Sequence, residues 1–466
     1  MTLSTPINSQ ADVTTKKNIT RLIVATSVGN ALEWYDISVY AYFAVYLSKA
    51  FFPANDPTTS LLLTFGTFGL SFMIRPLGGV LLGAYADRHG RKASLMLSIV
   101  LMTFGSFGLS FLIRPIGGIV LGAYADRHGR KASLMLSIVL MTFGTLVLAL
   151  MPTFATIGIL APIAVMLARL VQGFSAGGEF GSSTAFLVEH MPERRGFVAS
   201  WQFASQGVSG LLGAGFGALL TSMMSAEDLQ SWGWRLPFLF GVLIGPVGIY
   251  IRNHVEDATP PPAGKQESPV KEVFARQKLA TILAIGALAV STAVNYLIVY
   301  MPTYVVKTLN MAPSVGFMAS LVAQTAVAIL APIAGMVSDR IGRTTHMILF
   351  ALLLLVSIFP AFLLLTGKPT PMIILLGVLW LGVLKSLYYG PLAALMSELF
   401  PPATRATGLG LSYNIGVTLF GGMGPAIMTW MGGFASIGEL APPYYLTAVC
   451  ILSLCTLVTI RRLRLA

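Results

Sequence analysis

TFGTFGLSFMIRPLGGVLLGAYADRHGRKASLMLSIVLMTFG, from Thr64 to Gly105, couples an apolar run to the loop Gly83-Ala-Tyr-Ala-Asp87-Arg88-His89-Gly90-Arg91-Lys92, and a second apolar run follows. It returns as TFGSFGLSFLIRPIGGIVLGAYADRHGRKASLMLSIVLMTFG from Thr103 to Gly144, offset by 39 residues. The copies differ only at Thr67/Ser106, Met73/Leu112, Leu77/Ile116, Val80/Ile119 and Leu81/Val120, so this is a tandem duplication rather than a solenoid repeat. Removing one copy leaves 427 of the 466 residues.

The rest of the chain has the same character. Hydrophobic residues make up 55% and charged residues 10%, with a mean hydropathy of +0.78, whereas a soluble domain carries about 25% charged residues. Runs near twenty residues, enough to cross a ~30 Å hydrocarbon core as helix, recur from about residue 20 to the end. With 47 Gly and 26 Pro, this predicts an all-α integral-membrane bundle, because small residues let helices approach and neighbours satisfy broken backbone. A β-barrel is excluded by the lack of strand-type alternation.

The net charge of +12 sits in short loops between apolar runs. That is the positive-inside pattern rather than a nucleic-acid surface, and it predicts both termini on the cytoplasmic side. Cys450 and Cys455 share an apolar helix and read as neither a disulfide nor a metal pair. The five histidines lack metal-ligand spacing, so no metal and no cofactor are expected. The predicted division is a tail at 1–20, a bundle at 21–252 containing the duplication, a polar linker at 253–278 with Pro260-Pro261-Pro262, and a second bundle at 279–466. One helix is expected from Ile157 to His190, and another over 406–431.

The loop pattern recurs in the second half as Gly335-Met-Val-Ser-Asp339-Arg340-Ile341-Gly342-Arg343. Glycine permits a tight turn, the aspartate suits a partner helix N-terminus or an Arg, and the Arg side chains reach anionic partners. The pattern resembles the signature loop of the major facilitator superfamily. The resemblance implies two six-helix bundles, about twelve crossings, and alternating access about a central path. It assigns the gating loops to Asp87, Arg88, Gly90 and Arg91, to their copies Asp126, Arg127, Gly129 and Arg130, and to Asp339, Arg340, Gly342 and Arg343.

Further stretches resemble the metabolite–proton symporter branch. They are Gly29-Asn30-Ala-Leu-Glu33-Trp34-Tyr35-Asp36, Phe72-Met-Ile-Arg75-Pro76, Arg169-Leu-Val-Gln172-Gly173 onward to Glu179, Trp232-Gly-Trp234-Arg235, Met301-Pro302-Thr303-Tyr304, and Glu398-Leu-Phe400-Pro401 with Arg405. The segments around Leu82 to Tyr85 and Leu170 to Glu179 are most similar to citrate and tricarballylate symporters. Other relatives carry α-ketoglutarate, shikimate, or proline and betaine; the osmosensing betaine carriers have a long C-terminal coiled coil, which this chain, stopping at Arg464-Leu-Ala, is expected to lack. The resemblance implies a bacterial-type inner-membrane importer, not an enzyme, expected to be a monomer in the bilayer that moves a di- or tricarboxylate with protons.

The residues support this independently. An ion at the bilayer centre costs about 2.5–3.5 kcal/mol on insertion scales, so intramembrane charges mark function. Glu33, Asp36 and Glu179 suit proton coupling, because burial favours the neutral carboxyl. Arg75, its copy Arg114, Arg169 and Lys385 suit a substrate bearing carboxylates, since guanidinium grips carboxylate bidentately. Gln172, Gln202, Gln206, Asn295, Tyr296 and Asn414 complete the expected binding set, while Trp34 and Tyr35 read as packing residues. Glu33 with Arg75 could instead be a structural pair.

The duplication creates a conflict. The fused apolar segment Ala93 to Tyr124 is about 32 residues, ~48 Å as helix. One crossing would put the second Asp126-Arg127-His128-Gly129-Arg130-Lys131 loop outside and invert every later basic loop, and two crossings of ~24 Å each fall short of ~30 Å. The surplus is expected to form a strained or peripheral hairpin around a retained core; the alternative is a carrier impaired by the duplication.

Overall fold

The computed structural model describes residues 23–24, 27, 30–31, 34–52, 60–65, 142–176, 179–253, 269–434 and 436–465. Those residues are helical or in short turns, without a strand among them. The duplicated stretch between 66 and 141 lies outside them. So do Glu33, Arg75, Asp87, Arg88, Gly90, Arg91, Arg114, Asp126, Arg127, Gly129 and Arg130, and with them the Glu33–Arg75 pairing.

The first half contributes helical residues 34–42, α1 (Ala44–Phe51), helical residues 142–150, α2 (Leu160–Ala176), α3 (Glu179–His190), α4 (Arg195–Met223) and α5 (Leu236–Asn253). Then come α6 (Pro269–Arg276), α7 (Lys278–Lys307), α8 (Pro313–Ile341), α9 (Arg343–Gly367), α10 (Pro371–Glu398), α11 (Arg405–Gly416), α12 (Gly424–Gly432) and α13 (Ala441–Arg462). Among the described residues, six segments are long and apolar enough to cross a membrane: 192–223, 278–307, 313–341, 343–367, 371–398 and 438–462.

The structure refines the expected elements in three places. The helix expected over 157–190 starts only at Leu160, after Gly158 at φ +58°, and is described to Ala176 as α2 and again from Glu179 as α3. The positive φ suits glycine and ends a preceding turn. The helix expected over 406–431 contains a π-helical turn at Val417–Gly422 between α11 and α12, where Gly421, Gly422, Gly424 and Pro425 weaken the ordinary ladder. The linker holds a helix, α6, whose Val273 is buried; Gln277 just beyond it bonds Thr404 at 2.9 Å.

The halves meet along the pair α4 and α8. A Cβ on Gly196 would lie 2.5 Å from the Gly335 carbonyl oxygen, and one on Gly207 would lie 2.6 Å from the Ala328 nitrogen. Farther along, a Cβ on Gly217 would collide with the Phe317 ring. As numbering rises along α4 it falls along α8, so the two helices run antiparallel. Glycine sets the backbone separation along the pair, as small residues do between membrane helices.

Prolines open four of the long helices: Pro302 in α7, Pro332 in α8, Pro360 in α9 and Pro391 in α10. Each removes the N–H owed to a carbonyl four residues earlier. In α7 that carbonyl is Ile298, and Ser320 of α8 donates to it at 2.7 Å.

Candidate functional site

Each half carries a buried charged cluster. In the first half, Arg169 of α2 donates from Nη1 to Asp36 Oδ2 at 3.0 Å, with side chains only 2% and 5% exposed. Thr145 donates to Asp36 Oδ1 at 2.7 Å, and Gln172 donates to Thr145 at 3.2 Å. The Arg169 guanidinium stacks over the Tyr40 ring at 3.9 Å. Its Nε and Nη2 are buried without a hydrogen-bond partner among the described residues. These two N–H groups form the side-on fork that matches a carboxylate.

In the second half, Lys385 of α10 donates to Asn295 Oδ1 of α7 at 2.6 Å and lies 4.8 Å from the centre of the Tyr389 ring. Lys385 is buried and has no carboxylate within 4.0 Å among the described residues. Trp34, two residues before Asp36, meets Tyr296, next to Asn295, with ring centres 6.1 Å apart. This contact joins the segments carrying the two clusters.

The remaining expected site residues divide. Both amide atoms of Gln202 and Oε1 of Gln206 are buried without partners among the described residues, while Gln206 Nε2 donates to Tyr413 at 2.9 Å. Their neighbours Ser205 and Ser209 instead fasten α4 to the first helix: Asn30 donates to Ser205 and to the Gln202 carbonyl, and Ser209 donates to the Ala31 carbonyl. Asn414 donates to Gly410 in its own helix. Glu179 opens α3. Tyr35 donates to the Pro237 carbonyl at 2.8 Å.

Aromatic pairs bridge the two halves around this region. On one side Phe180 stacks on Tyr413 and Phe203 on Tyr389, with centroids 3.5 and 4.0 Å apart. On the other, Phe43 meets Phe317 at 5.5 Å and Phe65 meets Tyr300 at 5.6 Å. Each pair takes one ring from each half.

Beyond the first two stacks lies an ionic network. Asp339 Oδ1 accepts from the Gly196 N–H at 2.9 Å and from Arg343 Nη2 at 3.0 Å, and Oδ2 accepts from the Phe197 N–H at 3.1 Å. The carboxylate thus caps the α4 N-terminus, where the helix dipole favours negative charge. Glu398, ending α10, faces Arg195 of α4 at 3.6 Å and also binds Arg343. Glu189, near the end of α3, binds Arg405 of α11 at 3.2 Å. Each half thereby offers an acid and a base to the other.

Gly342, at φ +88°, makes the turn of this loop, while Gly335 serves close packing against Gly196. Arg340 is exposed and joins none of these bonds. Sequence reading missed Thr145 and Glu189, since a lone Thr in an apolar run and a Glu at a helix end carry no spacing signal.

The Major Facilitator Superfamily model matches residues 107–425 and 283–463, and a model described as Sugar (and other) transporter matches 22–114. The two meet inside the second copy of the duplication. The chain is 33% identical over 436 residues to a citrate-proton symporter of Klebsiella pneumoniae, covering 92% of this chain and 89% of that protein. It is 32% identical to an alpha-ketoglutarate permease of Escherichia coli (92% and 91% covered) and 30% identical to a proline/betaine transporter of the same organism (95% and 83%). Among solved structures, the proton:xylose symporter XylE superposes with a TM-score of 0.69 at 15% identity, over 96% of each chain.

Proposed function

The chain belongs to the major facilitator superfamily, a multi-pass membrane transporter, and from that we propose that it imports a small organic acid bearing two or three carboxylates, citrate or tricarballylate in class, together with protons. The observation that carries the proposal is the Arg169 side-on fork, buried and open beside Asp36. A substrate carboxylate fits that fork bidentately. A second carboxylate has a counter-charge in Lys385, which lies across the halves without an acid of its own among the described residues. The quaternary ammonium of betaine would meet that Lys385 cation instead, which favours a polycarboxylate over betaine among the substrates of the relatives.

Proton coupling follows from the same pair. Asp36 and a substrate carboxylate compete for the charge of Arg169: Asp36 neutralises it through Nη1, which weakens the pull of the open Nε–Nη2 fork on the substrate. A proton on Asp36 removes its claim on the guanidinium, frees Arg169 for the substrate, and makes loading of both favourable together. When the halves rock and the proton leaves, Asp36 recaptures Arg169 and expels the anion. Glu33 and Glu179 belong to the same proposed proton path. Arg75 or Arg114, Gln172, Gln202, Gln206, Asn295, Tyr296 and Asn414 complete the proposed substrate path.

The loop bearing Asp339 and the Glu189–Arg405 and Glu398–Arg195 pairs form the cytoplasmic gate of a monomer, with both termini on that side. With ring pairs bridging the halves around the site, the arrangement corresponds to an occluded step of alternating access. The test is uptake of radiolabelled citrate, tricarballylate, α-ketoglutarate, proline and betaine into proteoliposomes under an inward proton gradient. Citrate or tricarballylate should accumulate; uptake of betaine or proline alone would refute the substrate class.

A further inference from the structure

His346, buried near the start of α9, lies 2.8 Å through Nε2 from the backbone carbonyl of Leu387 in α10. A carbonyl only accepts, so Nε2 carries the proton. Leu387 stands four residues before Pro391, whose missing N–H leaves that carbonyl without its helical donor. The neighbouring helix therefore supplies the bond that proline removed, as membrane helices require where water is absent. The Phe350 ring packs on the imidazole at 4.8 Å.

The position of this break is informative. On one side of it α10 carries Lys385 and Tyr389, which face Asn295 and Phe203. On the other side it carries Glu398, which holds Arg195 and Arg343 at the gate. At the break itself, a Cβ on Gly390 would lie 2.5 Å from the Gly335 nitrogen, and Gly335 in turn touches Gly196. The gap in the ladder thus sits where α4, α8 and α10 cross. The Pro302 gap in α7 follows the same plan: Asn295 lies three residues before Ile298, whose carbonyl takes the Ser320 hydroxyl.

We propose that His346 is a positioning residue for transport: by filling the Leu387 carbonyl it fixes how the Lys385 arm of α10 is set relative to the Glu398 arm, and so couples site occupancy to the gate. The inference rests on the carrier reading above. Among the described residues His346 has no hydrogen bond to a substrate-path residue and no ion pair, so its effect travels through the helix.

The test is a cycle of His346→Ala, Pro391→Ala and the double variant, with His346→Gln as a conservative donor. The Pro391→Ala change returns an N–H to the Leu387 carbonyl, so the double variant no longer needs the imidazole. His346→Ala alone should slow maximal citrate uptake about tenfold, the scale of leaving one buried carbonyl unpaired. The same loss should be nearly absent in the Pro391→Ala background, and His346→Gln should restore most of the rate.

Hydrogen exchange of residues 392–398 should rise in His346→Ala and return to the Pro391→Ala level in the double variant. Equal rate losses in both backgrounds, or exchange that rises while maximal uptake and KM stay at wild-type values, would overturn the proposal and leave His346 a packing residue. If the wild type takes up none of the solutes tested, the carrier reading fails on its own, and unchanged exchange in His346→Ala would still overturn the inference.

Discussion

Asp339→Asn isolates the charge at the proposed gate while keeping its shape. The carboxylate takes two backbone N–H bonds from the first turn of α4 and one from Arg343. Asparagine keeps one acceptor oxygen but loses the negative charge. The lost charge–dipole attraction is worth about 1 kcal/mol. Downgrading bonds to an ionised acceptor costs about another 1 kcal/mol. About 2 kcal/mol is roughly a 30-fold shift at 1.36 kcal/mol per decade, and it falls on the closed gate, where the contact exists. The assay is labelling of Gln202→Cys, after replacing Cys450 and Cys455, by an impermeant maleimide applied from the side of the Asp339 loop. Residue 202 is buried in this structure, so on the gate proposal the labelling rate follows the open fraction and should rise by about that factor. Unchanged or slower labelling would show that the Asp339 contacts do not hold the gate.

Gly196→Ala should act in the same direction, because its Cβ would lie 2.5 Å from the Gly335 carbonyl oxygen; overpacking of that kind costs about 1–3 kcal/mol, and faster maleimide labelling would check it. Arg169→Lys keeps the charge but removes the fork, so KM for citrate should rise about tenfold or more while membrane insertion stays intact; a wild-type KM would make Arg169 structural. Glu179→Gln should spare counterflow exchange and impair gradient-driven accumulation; equal loss of both would demote it to packing.

The helices were legible because apolar runs of crossing length and basic loops leave few alternatives. What the sequence hid were interruptions set by local backbone. The positive φ of Gly158 and the π turn at Val417–Gly422 depend on glycine conformation and on tertiary contacts such as that of Tyr445 with the Phe420 carbonyl. At the site, Arg169 and Lys385 stood out because a buried charge has few non-functional explanations. Their partners did not, since pairing of Arg169 with Asp36, 133 residues away, is a property of the fold. Gln202 and Gln206 were legible as polar residues in an apolar run, whereas the bonds of Ser205 and Ser209 to the first helix are a property of the fold.

Competition between Asp36 and the substrate for Arg169 is the centre of this account, and proton movement measured alongside citrate uptake in proteoliposomes tests it most directly. In the wild type, citrate should carry protons inward with it, an imposed inward proton gradient should drive accumulation, and a protonophore should abolish it. In Asp36→Asn, citrate exchange should persist while proton movement and accumulation disappear together. Accumulation that follows a sodium gradient and ignores pH, or proton movement unchanged in Asp36→Asn, would contradict the account.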